Sequence, residues 1–360
     1  MKRALTLALA AVLGAAPAAA DGVVNVYNWS DYIDEQILAD FTEETGIDVR
    51  YDVFDSNELL EAKLLAGSTG YDVVVPSAYF LERQIAAGIF GPLDKDKLSN
   101  ASNLWADILD RTAQYDPGAK YAIPYMWGTT GVGYNPEMIA ARMDNAPVDS
   151  LDLVLDPEVV ANFADCGVHI LDAPADVIPV VLNYLGLDPN TQNPDDLKAA
   201  ADHLLKIRPH VQKFHSSEYI NALAGGDICI TIGWSGDVLQ ARDRAAEAGN
   251  GVNVTYMIPK EGTQMWFDMM AIPADAPNKE NAHVFLNYLM RPEVIAKATN
   301  YVNYANGNAA SKAFVDEAVL SDPGVYPSDA VLEKLFPTTA LPPRAQRVAT
   351  REWTRVKTGL

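Results

Sequence analysis

Three short segments of the chain set an indole close to a carboxylate. Asn28-Trp29-Ser30-Asp31-Tyr32 follows an apolar run at 23–27, Gly233-Trp234-Ser235-Gly236-Asp237 follows another at 230–232, and Met265-Trp266-Phe267-Asp268 heads a third at 269–272. Brought into one cleft, these groups would line a site for an organic cation, because aromatic faces attract positive charge and carboxylates pair with it. Taken one at a time, Asp31 and Asp237 are also explained by capping, since an Asp at a strand-to-helix turn accepts from the first free amides of the helix. Asp268 precedes a run that reads as a strand, so capping does not account for it.

Other chemistry finds little support. His169, His203, His210, His215 and His283 show no metal-type spacing, so no metal site is expected. The stretch 233–237 departs from the nucleophile elbow because its fifth residue is Asp rather than Gly. Gly67-Ser68-Thr69-Gly70 lacks the Lys and Ser/Thr of a phosphate loop, and Gly131-Val132-Gly133 opens a dinucleotide pattern without completing it. The expectation is therefore a binding protein with no cofactor, and not an enzyme.

The elements that must position the three segments are legible as alternation. Residues 1–20 carry Lys2 and Arg3, an apolar run and Ala18-Ala19-Ala20 ahead of Asp21, the layout of a cleaved secretory signal, so residues 1–20 are expected to be removed and the chain to be exported. Removing Lys2 and Arg3 takes the formal charge from −21 to −23, a surface that repels nucleic acid and gathers cations. Cys166 and Cys229 in an exported chain are expected to form one disulfide, a free nucleophilic thiol being the alternative. Short β-rich runs at 23–27, 49–54 and 71–75 alternate with helical patterns at 33–45, 59–66 and 80–87, which implies a mostly parallel sheet with right-handed crossovers. Ligands on such sheets bind beyond the carboxyl ends of the strands, where Trp29-Ser30-Asp31 and Pro76-Ser77 fall.

The mature length exceeds one comfortable core, so two lobes are expected. Extended, glycine-punctuated pieces at 121–134 and 252–258 read as crossings between them, with 301–308 as a last hinge. The lobes are expected at 21–127 with 255–300 and at 128–254 with 301–360. An exported two-lobed α/β chain with several crossings can open and close about them, which is what the solute-binding protein of an importer requires.

Seven stretches together carry a family resemblance. They are 26–32, 51–58, 72–77, 124–131, Asp172-Ala173-Pro174, Phe214-His215-Ser216-Ser217 and 232–237. They resemble the periplasmic polyamine-binding proteins of bacterial ATP-driven (ABC) importers, nearest the putrescine-binding branch, over almost the whole mature chain. The resemblance implies the two-lobed periplasmic-binding-protein fold of type II, α/β with mixed, mostly parallel sheets and multiple hinge crossings. It also implies a monomer in the periplasm that delivers a polyamine to an inner-membrane ABC permease. Carried over by position, it implies that Trp29, Ser30, Asp31, Tyr32 and Ser77 line the cleft from the first lobe, and Asp176, Trp234 and Asp237 from the second. Trp266, Phe267 and Asp268 come from the returning segment, with Tyr304 beside the last hinge.

A linear diamine is charged at both ends and apolar between, so Asp237 and Asp268 are expected to take the terminal ammoniums, Asp31 and Asp176 to reinforce them, and Ser30 and Ser77 to add hydrogen bonds. Two positions depart from the branch: Asp176 stands where its members usually carry Glu, and Trp266 where some carry Phe. The alternatives are another organic cation or an amino acid as ligand, or a cysteine-dependent transferase on the same scaffold that would need Cys166 or Cys229 free beside a base.

Overall fold

Strand-forming runs rich in Val and Ile build the sheet. In chain order the strands are β1 (Gly22–Trp29), β2 (Ile47–Phe54), β3 (Val73–Val74), β4 (Ala122–Tyr134) and β5 (Val168–Ile170). They continue with β6 (Lys213–Phe214), β7 (Ile230–Trp234), β8 (Thr255–Met257), β9 (Met265–Ala271) and β10 (Ala305–Asn306). The computed structural model describes residues 22–360, so the expected signal segment 1–20 and its cleavage point lie outside the described residues. No described helix is long and apolar enough to cross a membrane.

The helix Glu35–Thr45 shows how local sequence sets an element. Asp34 caps it by accepting from the Gln36 amide, Ile37 and Phe41 face inward, and Gly46 stops it in the left-handed region at φ 73°. Only glycine enters that region without a Cβ penalty. The helix carries the chain from β1 to its parallel neighbour β2, and β3 joins β1 on the other side, also parallel. In the second lobe β5 lies parallel between β6 and β7.

One strand ties the lobes together. β4 is buried along all thirteen residues. Its first part, Ala122 to Thr129, pairs antiparallel with β9, and its last part, Thr130 to Tyr134, pairs antiparallel with β7. The strand order is β2-β1-β3-β9-β4-β7-β5-β6, with β8 and β10 both on β4. The stretch expected to cross between lobes is therefore this long strand, and the helices Pro194–Ile207 and Pro343–Thr358 pack together on the second lobe.

Two strand pairings lie beside the expected boundaries. Thr255–Met257 pairs with Val132 to Tyr134, so residues 255–257 still belong to the sheet of the second lobe, and the return crossing comes between β8 and β9. Ala305 and Asn306 pair with Trp127 and Met126, so the chain is still on the first-lobe part of β4 past residue 301. Backbone pairing partners, not local composition, decide which part of the sheet a short strand joins.

Cys166 and Cys229 are bonded to each other, with Cα atoms 5.5 Å apart and a separation of 63 positions in sequence. They lie just ahead of β5 and β7, which pair through Val168 and Ile230. Neither sulfur is free, which removes the nucleophile that a cysteine-dependent enzyme would need. Replacing both with Ala is expected to lower unfolding free energy by about 2–5 kcal/mol, because the bridge restricts the unfolded chain. Denaturant titration of the double variant checks this, and an unchanged midpoint would contradict it.

Candidate functional site

The carboxyl ends of strands from both lobes converge on one cavity, which with the open solvent at its entrance takes in about 420 Å³ free of atoms. Trp29 ends β1 and Ser30 and Tyr32 follow it, Asp55 and Asn57 follow β2, and Ser77 and Tyr79 follow β3. Trp266 and Asp268 lie on β9, Asp176 follows β5, Ser216 follows β6, Trp234 ends β7, Asp237 opens the next helix, and Tyr304 precedes β10. Ten of the twelve residues singled out from the sequence meet here. Of the whole lining, only Ser30 and Asp55 are not buried.

Asp237 shows why its segment has that composition. The helix Ser235–Ala248 begins at Ser235, so Asp237 sits in its first turn, and its carboxylate is not the cap. One oxygen accepts from the Tyr304 hydroxyl and the other from the Tyr219 hydroxyl, each at 2.7 Å. The flanking glycines make room for those rings. A Cβ on Gly233 would lie 2.8 Å from the Tyr219 ring, and one on Gly236 would lie 2.5 Å from the Tyr304 ring. The glycine-flanked Trp is thus a packing requirement of the two tyrosines that hold Asp237.

Asp268 is held from the other lobe, where its oxygens accept from the Ser77 hydroxyl at 2.6 Å and the Tyr32 hydroxyl at 2.7 Å. Asp176, in the first turn of the helix Pro174–Tyr184, accepts from the Tyr79 hydroxyl at 3.0 Å. All three carboxyls are buried, and every hydroxyl that bonds them is neutral. Burial, reinforced by the nearby Glu58 charge, pushes Asp176 up to about 8 against the Tyr79 hydrogen bond. Burial pushes Asp268 up to about 7 and Asp237 to about 6, in each case against hydrogen bonds that favour the charged form. The lining contains no Lys, Arg or His.

The walls are aromatic. Trp29 and Trp234 meet edge to face at 5.5 Å from opposite lobes, and Tyr304 stands edge to face with both Trp266 and Tyr32 at 5.2 Å. The Trp29 indole N–H donates to the Val75 carbonyl at 2.9 Å, which fixes the ring against β3.

Two expected lining residues are elsewhere. Asp31 adopts a left-handed turn at φ 55°, and its carboxylate forms an ion pair with Arg244 at 2.6 Å outside the cavity. It does not cap the first helix either, since Asp34 does that. Phe267 lies on β9 between Trp266 and Asp268. Successive side chains of a strand point to opposite faces, so it turns away from the cavity that its two neighbours line. Asp55, Asn57, Tyr79, Ser216 and the supporting Tyr219 were not singled out. The rule that ligands sit beyond strand carboxyl ends, applied to β2 and β6 as well as to β1 and β3, points to Asp55, Asn57 and Ser216.

The fold has close counterparts. A putrescine-binding periplasmic protein of Pseudomonas aeruginosa is 55% identical over 357 residues, covering 99% of this chain and 97% of its own length. A putrescine-binding periplasmic protein of Escherichia coli is 54% identical over 354 residues, covering 98% of this chain and 96% of its own. Among solved structures, one described as a putative spermidine/putrescine ABC transporter from Listeria monocytogenes superposes with a TM-score of 0.83 at 32% identity, covering 93% of this chain and 98% of that one. The profile of the bacterial extracellular solute-binding proteins matches residues 36–327. With that match covering most of the chain in both lobes, the chain belongs to the bacterial extracellular solute-binding protein family.

Proposed function

We propose that this protein captures a linear polyamine, putrescine or spermidine, in the interlobe cavity and delivers it to the permease of an ABC importer, acting as a monomer in the periplasm. The observation that carries the reading is charge: three buried carboxyls face one aromatic-walled cavity whose lining holds no basic side chain. Burying such charges without a counter-ion is costly, so the cavity calls for a cation with more than one positive centre. Trp29, Trp234, Trp266 and Tyr304 supply faces for the methylene chain and for the cations. An amino acid fits less well, because nothing basic in the lining would receive its carboxylate. A sugar gives the buried acids no counter-charge. The names of the relatives support the same reading.

Calorimetric titration with putrescine, cadaverine, agmatine, spermidine, a neutral sugar and an amino acid tests it. At least one polyamine is expected to bind at about micromolar Kd or tighter, near 8 kcal/mol of binding free energy. Binding of the sugar or the amino acid with no heat from any amine would overturn the assignment.

A further inference from the structure

Four carboxyls open onto the cavity, and the site described above uses three of them. The fourth, Asp55, comes directly after β2, is partly exposed and takes part in no ion pair among the described residues. Across the cleft, Ser216 comes two residues after β6, is 5% exposed and lines the same cavity, and its hydroxyl has no hydrogen-bond partner. β2 and β6 are the outermost strands of the two lobes. Together with Ser30, Asp55 marks the part of the lining that solvent reaches, so this end is the mouth of the cavity.

We propose that Asp55 and Ser216 form an outer cation subsite that holds the far ammonium of a linear triamine, while its other two nitrogens lie among Asp237, Asp268 and Asp176. This deepens the polyamine reading and rests on it. The hydroxyls of Tyr32, Ser77, Tyr79 and Tyr304 already donate to inner carboxylates, whereas that of Ser216 is uncommitted. A buried hydroxyl without a partner is costly, and a primary ammonium, with three N–H donors, satisfies it while pairing with a carboxylate. A diamine held by the inner acids leaves Ser216 and Asp55 unused. A triamine engages both, so the subsite discriminates by chain length and charge number.

The test is to titrate wild type, Asp55→Asn and Ser216→Ala with spermidine and with putrescine. Each variant is expected to lose about tenfold or more in spermidine affinity, the scale of one hydrogen bond to a charged group, with putrescine affinity held within about twofold. Ser216→Thr, which keeps the hydroxyl, is expected to retain spermidine binding. Unchanged melting of the ligand-free variants separates the effect from misfolding. Parallel weakening of both amines, or unchanged spermidine affinity, overturns the subsite and leaves the polyamine reading standing. Failure of wild type to bind either amine overturns the reading itself and the subsite with it.

Discussion

Asp268→Asn is expected to weaken polyamine binding by about 100-fold or more, since removing one partner of a buried ion pair costs about 3–5 kcal/mol and each 1.4 kcal/mol is tenfold in Kd. The substitution removes the charge and keeps the shape. Asp268 lies on β9, held by Ser77 and Tyr32, and no basic group in the lining would share a ligand's charge in its place. Asp237→Asn is expected to behave alike, because its two tyrosine partners orient the carboxylate toward the cavity from the other lobe. A second measurement separates binding from folding. In the ligand-free protein each aspartate is a buried acid without a counter-ion, so its neutral replacement should leave the melting temperature unchanged or higher at pH 7. Affinity within threefold of wild type in both variants would remove these residues from the site.

Proton release on binding is the second large effect. The carboxyls of Asp176, Asp268 and Asp237 hold protons up to about 8, 7 and 6, because burial disfavours their charged forms. A polyamine stays charged over this range, its primary amines resembling lysine at about 10.4. Its arrival favours ionised carboxylates, so binding at pH 7 is expected to expel roughly one to two protons and to strengthen as pH rises from about 5.5 to 8.5. Calorimetry in buffers of differing ionisation enthalpy gives the proton number as a slope, and Asp176→Asn should reduce it. A zero slope in wild type would refute the coupling. Stability of the ligand-free fold runs the other way. These folded values lie above the unfolded carboxyl value of about 3.9, so the folded state binds more protons in that window. The contribution is fully present below about pH 4 and is lost as pH rises through 6 to 8. Saturating ligand should flatten that decline.

Much of this was legible in the residue order. The alternation of β-rich and helical runs established an α/β fold, Gly46 marked a helix end, and the glycine-punctuated stretch at 121–134 identified the crossing strand. An indole two or three positions before a carboxylate, repeated three times in the sequence, pointed to segments whose three indoles and two of whose carboxylates, Asp237 and Asp268, line one cavity. The misplacement of Phe267 was avoidable, because the period-two rule puts it on the face opposite Trp266 and Asp268. Asp31 was not recoverable in that way: its carboxylate is taken by Arg244, a residue 213 positions away.

The order of amino acids by itself determined which chemistry was available: acids, indoles and hydroxyls at strand ends, and a chain long enough for two lobes. Only the tertiary structure decided which acids share the cavity, that their hydrogen-bonding partners are neutral tyrosine and serine hydroxyls, and that Asp55 and Ser216 join the same lining. The physical reason is range. Helix caps, strand alternation and turn glycines act between residues a few positions apart, whereas the charge balance of a buried cavity depends on side chains that meet across hundreds of positions, such as Tyr32 with Asp268, 236 apart.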